Sequence, residues 1–226
     1  MNPEKKEFEV YESVLFASFL TMAAGGLDAY SYLLHHQVFS GLQTGNLILF
    51  GLHLGKGDWL GSFQYFLSLL AFIIATMIVR WAQHHNKAVD RQTAFGKRLI
   101  LIAEITLIAL AGIFTLLTES FWPTILLSMA AAAELQEFRK LKGGPFTPLM
   151  MTGNVRKISE GMYDWFTLKD RTARRHVFET IAIVGGFFFG AFLAGLAVRF
   201  FGNWSILVPI LSLVLALLVD LGHRSN

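Results

Sequence analysis

The chain contains no cysteine and little charge, and each shortage excludes a class of protein. With no cysteine among 226 residues, disulfides, thiolate nucleophiles and cysteine-ligated metals are excluded. Only 15% of the residues are Asp, Glu, Lys or Arg, whereas a soluble domain carries about 25%. Apolar residues make up 54% of the chain instead. This balance indicates an integral membrane protein whose surroundings are the lipid bilayer.

The sequence motifs of common enzyme classes are also missing. No HExxH zinc motif, no phosphate-cradling P-loop and no GxSxG nucleophile elbow occurs in the chain. We therefore expect no catalytic residues, no metal site and no cofactor.

What the chain does have is six long apolar segments. Each approaches or exceeds the 18 to 20 residues, approximately, that a helix needs to cross a bilayer. The segments are residues 14–34, 60–79, 99–118, 121–138, 177–198 and 204–221. Four of the five tryptophans lie at segment ends, where the headgroup layer suits an indole ring. We predict an all-α polytopic membrane protein with six transmembrane helices.

Lys and Arg are distributed unevenly among the connections between these segments. Of the 19, seventeen lie in the two terminal tails and in the 80–98 and 139–176 connections. Only Lys56 and Arg199 lie on the opposite side. By the positive-inside rule, both termini face the cytoplasm. The net charge of +3 reflects this asymmetry, so no nucleic-acid partner is expected.

A Thr-Gly-Asn tripeptide occurs twice, 108 residues apart, after the first and after the fourth apolar segment. Its residues are Thr44, Gly45, Asn46, Thr152, Gly153 and Asn154. We predict a single membrane domain, residues 1–226, built from two repeats of three spans, residues 14–118 and 121–221. Because three is an odd number, the second repeat is inverted in the membrane, as in many transporters.

Thr and Asn favour helix starts, because their side chains accept hydrogen bonds from the free N–H groups of a first turn. A half-helix from Asn46 to about Gly55 fits a segment that re-enters the membrane and presents its N–H groups to an anion or polar solute. The alternative is a capped short helix on the surface. The second copy begins an amphipathic helix, whose Arg156 must face water, headgroups or an anionic partner.

Ionisable side chains inside the apolar segments are the other candidates for function, because charge is costly in a membrane. Asp28 lies in the first segment, near Tyr32, and the 108-residue displacement places it on Gln136 of the fourth. Glu134 is the deeper acid of that fourth segment. The alternative for Asp28 is a structural hydrogen bond to a neighbouring helix or to a Thr-Gly-Asn backbone. Glu104 is expected to be structural, within reach of Arg98 or of the lipid headgroups.

Small residues recur in two segments at spacings that allow helices to approach closely. Gly25 and Gly26 lie in the first segment, and Gly186, Gly190 and Ala194 lie four residues apart in the fifth. Such a face predicts a helix-packing seam, within the protein or between the subunits of a homo-oligomer.

The stretch GGLDAYSYLLHHQVFSGLQTGNLILFG at 25–51 resembles the YoaK-like family of small bacterial membrane proteins, a domain of unknown function. The matching residues are Gly25, Asp28, Ala29, Ser31, Tyr32 and the first Thr-Gly-Asn. The resemblance implies six spans and a bacterial cell membrane, and it supplies no substrate.

Together these features predict a transporter of a small polar or charged solute that works by alternating access between inverted repeats. A passive channel and a non-transporting scaffold or sensor are the alternatives. The candidate substrate-binding residues are Asp28, Tyr32, Thr44, Gly45, Asn46, Glu134, Gln136, Thr152, Gly153, Asn154 and Arg156.

Overall fold

The computed structural model describes residues 9–85, 94–118 and 121–223. Within them the chain forms eight α-helices: α1 (Val14–Leu34), α2 (Gln43–Gly55), α3 (Trp59–His85), α4 (Ala94–Leu117), α5 (Trp122–Glu137), α6 (Met151–Thr167), α7 (Arg171–Phe201) and α8 (Leu207–Gly222). Short 3₁₀ helices cover Val10–Glu12 and Gly202–Ile206. Among the basic residues counted above, Lys5, Lys6, Lys87, Arg91 and Arg224 lie outside the described residues.

Each predicted apolar segment lies in a helix, but the lengths differ from the prediction. Four helical stretches in the described ranges are long and apolar enough to cross a membrane: α1, α3, α4 and the continuous stretch from Arg171 to Gly222. That last stretch has 52 residues and contains both α7 and α8. Gly202 separates them with a φ of 53°, a conformation that few other residues adopt. α5 and α8 have 16 residues each, about 24 Å at 1.5 Å per residue.

α1 lies at the centre of the helix bundle. Of its apolar window 67% is buried, against 33% for α3 and for α4. α1 packs against α7 and α8, and α5 packs against α3 and α4. The two short helices lie outside these pairs, with α2 on α3 and α6 on α7. α4 and α8 also touch each other, which closes the bundle.

The predicted glycine seam is confirmed as a contact within one chain, between α1 and α7. A Cβ atom built on Gly190 would lie 1.9 Å from the carbonyl oxygen of Met22, and one on Gly25 would lie 2.0 Å from that of Phe187. Only a hydrogen atom fits at these points, so the two backbones approach as closely as glycine permits. The Thr21 hydroxyl adds a 3.0 Å hydrogen bond to the Ile183 carbonyl across the same seam.

Large apolar side chains cover the outside of the bundle. Among the exposed ones are Phe63, Ile73, Met77, Ile113, Phe188, Phe192 and Leu218. Trp59 and Trp122 are the first residues of α3 and α5, and both are exposed, as are Trp81 and Trp204. Exposed apolar surface of this extent is costly in water and suits lipid contact, with tryptophan at the headgroup level.

Sequence reasoning did not foresee the small antiparallel hairpin between α5 and α6. Its two strands, Lys140–Leu141 and Gly144–Pro145, have two residues each. The tip is held against the N-terminal segment, since Lys142 N donates to the Glu12 carbonyl at 3.0 Å and Gly143 N to the Glu12 carboxylate at 2.6 Å. Lys142 also pairs with Glu179 of α7. The hairpin therefore fastens the connector between α5 and α6 to the N-terminal segment and to α7.

Candidate functional site

After α1 the chain turns back along the same helix. His36 and Gln37 adopt left-handed conformations, with φ of 53° and 62°, and so reverse its direction. The Ser31 hydroxyl then donates to the Val38 carbonyl, and farther back Gly41 lies beside Asp28. We call residues 35–42, between α1 and α2, the returning segment. Because Asp28 is six residues from the end of α1, this segment descends about 9 Å along the helix.

Asp28 receives hydrogen bonds from the backbone that leads into α2. Its Oδ1 accepts from Gly41 N at 2.6 Å and from Leu42 N at 3.3 Å. Asp28 thus satisfies N–H groups at the start of α2 that have no partner within the helix. This contact is the structural alternative stated for Asp28, a hydrogen bond to the backbone next to Thr-Gly-Asn.

The predicted start of α2 at Asn46 is wrong by three residues. α2 begins at Gln43, its N-cap is Leu42, and no side chain of the cap position bonds the first turn. Thr44, Gly45 and Asn46 therefore lie inside the first turn rather than at the cap. The difference arises because an acid from α1, distant in sequence, supplies the capping interaction that the tripeptide was expected to supply.

The Asn46 side chain fixes the returning segment, because it both accepts and donates hydrogen bonds. It is completely buried; its Oδ1 accepts from Phe39 N at 2.9 Å, and its Nδ2 donates to Phe39 O at 2.7 Å. Nδ2 also lies 3.0 Å from the Ser68 hydroxyl of α3, which is 2.7 Å from that of Ser128 on α5. Asn46 thereby connects α2 to α5, in the second half of the chain, through buried hydrogen bonds.

The second Thr-Gly-Asn occupies the same positions in the first turn of α6 but has fewer partners. α6 begins at Met151 with Met150 as N-cap, and no cap side chain bonds the first turn. Asn154 is buried, and its Nδ2 donates to the Met151 sulfur at 3.7 Å, a weak acceptor. Thr152 and Gly153 are exposed.

The other predicted site residues lie in several places. Gln136, the counterpart of Asp28, donates to the Gln83 side chain of α3 at 3.1 Å. Tyr32 is half-buried and stacks on Phe39, with 4.8 Å between ring centroids. Thr44 is exposed. Arg156 is also exposed, at 75%, and its guanidinium lies 3.6 Å from Glu160.

The two connectors that precede the Thr-Gly-Asn helices meet. A Cβ atom on Gly41 would lie 2.5 Å from the Leu149 side chain, which is itself buried. Gly41 and Leu149 are separated by 108 residues, the spacing of the tripeptides. The starts of α2 and α6 are therefore brought together, with Asp28 beside one of them.

A third buried acid accompanies Asp28 and Glu134, and it was misjudged from the sequence. Glu104 of α4 was expected to reach Arg98, but Arg98 pairs with Asp220 of α8. The Glu104 carboxyl instead interacts with that of Glu134, which lies within electrostatic reach of Asp28. The helix periodicity of α4 could have shown that Glu104 lies on a buried face, but no local signal identifies its neighbour.

A cavity of about 530 Å³ opens at the side of the bundle where the N-terminal segment lies. It is lined by Glu9, Tyr11, Glu12, Lys97, Glu137, Phe138, Arg139 and Lys140. Burial, followed by the effect of the Asp220 carboxylate, raises the pKa of Tyr11 above its ordinary value. Its hydroxyl therefore stays neutral and donates to the Ala94 carbonyl at 3.1 Å.

Within the described ranges no three His, Cys, Asp or Glu side chains are arranged to hold a metal ion. The site is instead a set of buried carboxyl and amide groups: Asp28 and Asn46 at the start of α2, and Glu104 with Glu134 between α4 and α5. Such a set can bind protons or form hydrogen bonds to a polar solute.

The helical bundle, its apolar exterior and these buried acids define an all-α integral membrane protein. The chain belongs to the family described as "Protein of unknown function (DUF1275)", which it matches over residues 16–219. It is 28% identical over 197 residues to the UPF0700 transmembrane protein YoaK of Bacillus subtilis (strain 168), covering 85% of this chain and 87% of that protein. No solved structure matches the chain. The resemblance inferred from residues 25–51 is thereby confirmed.

Proposed function

We propose that this protein is a transporter of a small polar or charged solute, built from inverted repeats 14–118 and 121–221 that alternate access to a central site. The observation that carries the proposal is the packing pattern of the helices. When α1–α4 are exchanged for α5–α8, each of the helix pairs described above maps onto another of those pairs, except α4–α8, which maps onto itself. The pair α1–α7 becomes α5–α3, α1–α8 becomes α5–α4, and α2–α3 becomes α6–α7.

The register of the helices supports the same repeat. α1 begins at Val14 and α5 at Trp122, and α2 begins at Gln43 and α6 at Met151. Both pairs of starts are separated by 108 residues, as are the two tripeptides. A relation of this kind between two three-span halves is typical of transporters that rock one half against the other around a fixed site.

The proposed topology has six spans, in the inner membrane of a bacterial cell, with both termini in the cytoplasm. The basic residues Lys97, Arg139 and Lys140 line one cavity together with Glu9 of the N-terminal segment. This gathering on one face agrees with the distribution of Lys and Arg expected for the cytoplasmic side. Lys56 should then react with an impermeant amine reagent from outside intact cells, and Lys169 only after permeabilisation.

In this mechanism the solute binds where the α2 and α6 starts meet. The Asp28 carboxylate holds two backbone N–H groups there in the conformation described, and its Oδ2 has no hydrogen-bond partner in the described part of the chain. A polar solute that replaces either interaction would change how α2 is held, and so link binding to movement of the returning segment. We propose no enzymatic activity.

Transport can be tested with purified protein in liposomes, screened against small anions, cations and neutral metabolites. We expect saturable uptake that falls at least about tenfold in Asp28→Asn, since removing a charged hydrogen-bond partner is worth roughly 1.5–3 kcal/mol. Asp58→Asn, at an exposed position, is the control and should keep wild-type uptake. Unsaturating flux through the wild type would instead indicate a passive channel.

The non-transporting scaffold or sensor is the second candidate, and one observation favours it. Asp28 and Asn46 are engaged with backbone, as residues that only fix a fold would be. If no solute is transported or bound, and Asp28→Asn alters only stability, the scaffold describes the protein and the transporter proposal fails.

A further inference from the structure

The contact between Glu104 and Glu134 joins two helices through side chains of the same charge. Glu104 on α4 is completely buried and Glu134 on α5 is 1% exposed. Their carboxyl groups interact directly, and Asp28 adds a third acid within electrostatic reach of Glu134. Two carboxylates in this position repel each other, and burial in an apolar bundle strengthens the repulsion.

Within the described ranges, neither acid is neutralised by a neighbouring side chain. Both oxygens of Glu104 and Oε1 of Glu134 have no hydrogen-bond donor among the residues that the structure describes. The nearest basic side chain on α4 is Arg98, which is engaged with Asp220. A buried carboxylate without a donor or a cation is strongly unfavourable, so the pair requires a bound positive charge.

The remaining titratable groups around the pair have other partners. On α8 the titratable residue is Asp220, and on α1 the Tyr30 hydroxyl bonds Thr115 while Asp28 holds the start of α2. The 3₁₀ segment between α7 and α8 has no titratable side chain. Behind α5, the Gln83 amide of α3 donates to Glu137 at 2.5 Å. None of these groups replaces the missing positive charge.

A proton fits this position better than a metal ion. No three metal-binding side chains come together in the described ranges, and two carboxyl groups offer too few ligands for a hard cation. One proton, in contrast, satisfies both acids, because the protonated carboxyl donates to the ionised one. Glu137, one turn from Glu134 on α5, lines the 530 Å³ cavity, whereas Glu104 and Glu134 do not.

We propose that Glu104 and Glu134 share one proton and form a proton-binding site between α4 and α5. The proton comes from water, forms an O–H bond on one carboxyl and donates to the other, and no other bond changes. The role of this site in coupling proton movement to solute movement rests on the proposed transport function. The pair joins one helix from each proposed repeat, so its protonation would change the contact between the two halves.

Infrared difference spectroscopy of the protein in lipid nanodiscs tests the site without any solute. Wild-type protein should show the C=O band of a protonated carboxyl at neutral pH, and raising the pH should remove it. Glu104→Gln and Glu134→Gln should each lose the band, because the glutamine amide gives the remaining carboxylate a donor. Glu137→Gln, one turn away on the same helix, is the matched control and should keep it.

Absence of the band from wild-type protein at neutral pH would overturn the proposal, whether or not the variants fold. So would a band unchanged in both Glu104→Gln and Glu134→Gln, or one abolished by adding Na⁺ or K⁺ at constant pH, which would make the occupant a metal cation.

Liposome assays separate this proposal from the transport proposal. If the band behaves as expected and no solute is transported, the proton site stands and the transport function fails. If solute is transported, an imposed pH gradient should drive uptake in wild-type protein and in Glu137→Gln. In Glu104→Gln that stimulation should disappear while downhill flux remains, whereas stimulation equal to wild type would overturn the coupling role.

Discussion

The two Thr-Gly-Asn helices carry the same tripeptide at the same positions in their first turns, yet they are held in different ways. The start of α2 is bonded by Asp28 and Asn46, and Val38, Ser40 and Gly41 of its connector are buried. The start of α6 has Asn154 near a sulfur atom, and Thr152 and Gly153 are exposed. The tripeptide therefore marks the position of a helix start, while residues elsewhere decide how firmly that start is held.

The largest difference between the halves should appear at their helix crossings. α1 and α7 meet through glycines, whereas in the equivalent pair, α3 and α5, the hydroxyls of Ser68 and Ser128 form a hydrogen bond. Gly190→Ala places a Cβ against the Met22 carbonyl and should cost about 3 kcal/mol or more. Thermal unfolding in detergent measures the loss. Gly185→Ala, with nothing within 4 Å of the added atom, is the control, and an equal loss there would contradict the seam.

Asp28 and Gln136 test the difference between the two helix starts directly. Asp28→Ala leaves the N–H groups of Gly41 and Leu42 without an acceptor, which should cost about 2–4 kcal/mol in unfolding free energy. Gln136→Ala should cost less than about 1 kcal/mol, because it removes a half-buried contact between amides. Chemical unfolding in mild detergent compares the two variants. Equal losses would mean that Asp28 does not hold α2.

The two asparagines of the tripeptides should differ in the same direction, by a smaller amount. Asn46→Ala removes hydrogen bonds to both backbone groups of Phe39 and to Ser68, a loss of about 1–3 kcal/mol. Asn154→Ala removes one weak bond to sulfur and should change stability by less than about 1 kcal/mol. Hydrogen exchange should also be faster at residues 39–42 in Asn46→Ala, and unchanged exchange there would argue against the returning segment depending on Asn46.

The smallest effect is expected where the two repeats have the same interaction. This is at the N-terminal ends of α3 and α7, where an aspartate accepts a hydrogen bond from a backbone N–H group of the first turn. Asp58 accepts from Gly61 N and Asp170 from Thr172 N, so alanine at either position should lower the melting temperature slightly and similarly. The Gly61 N–H, followed by His53, lowers the pKa of Asp58. Its contribution is therefore present above the ordinary aspartate pKa and is lost as the pH falls through the lower folded value. A pH series on Asp58→Ala should show the difference from wild type disappearing in acid.

Several parts of the site were visible in the sequence, and others were not. Asp28 and Glu134 were identified because ionisable residues are costly in apolar segments, and Asn46 because it belongs to the repeated tripeptide; all three are buried. Glu104 was given the wrong partner, since sequence proximity to Arg98 suggested an ion pair that Asp220 of α8 makes instead. Thr44, Thr152 and Arg156 were selected with the tripeptides, and the structure places them at exposed positions.

The sequence by itself determined the membrane class, the helical character of the apolar segments, the paired tripeptides and the glycine seam. These follow from local properties: the transfer free energy of a segment, the helical period and the space that small residues leave. The tertiary structure alone decided that Asp28 bonds the start of α2, that Glu104 meets Glu134, and that Gly41 meets Leu149. Such contacts depend on how helices far apart in the chain cross, and their geometry is set by packing over the whole bundle.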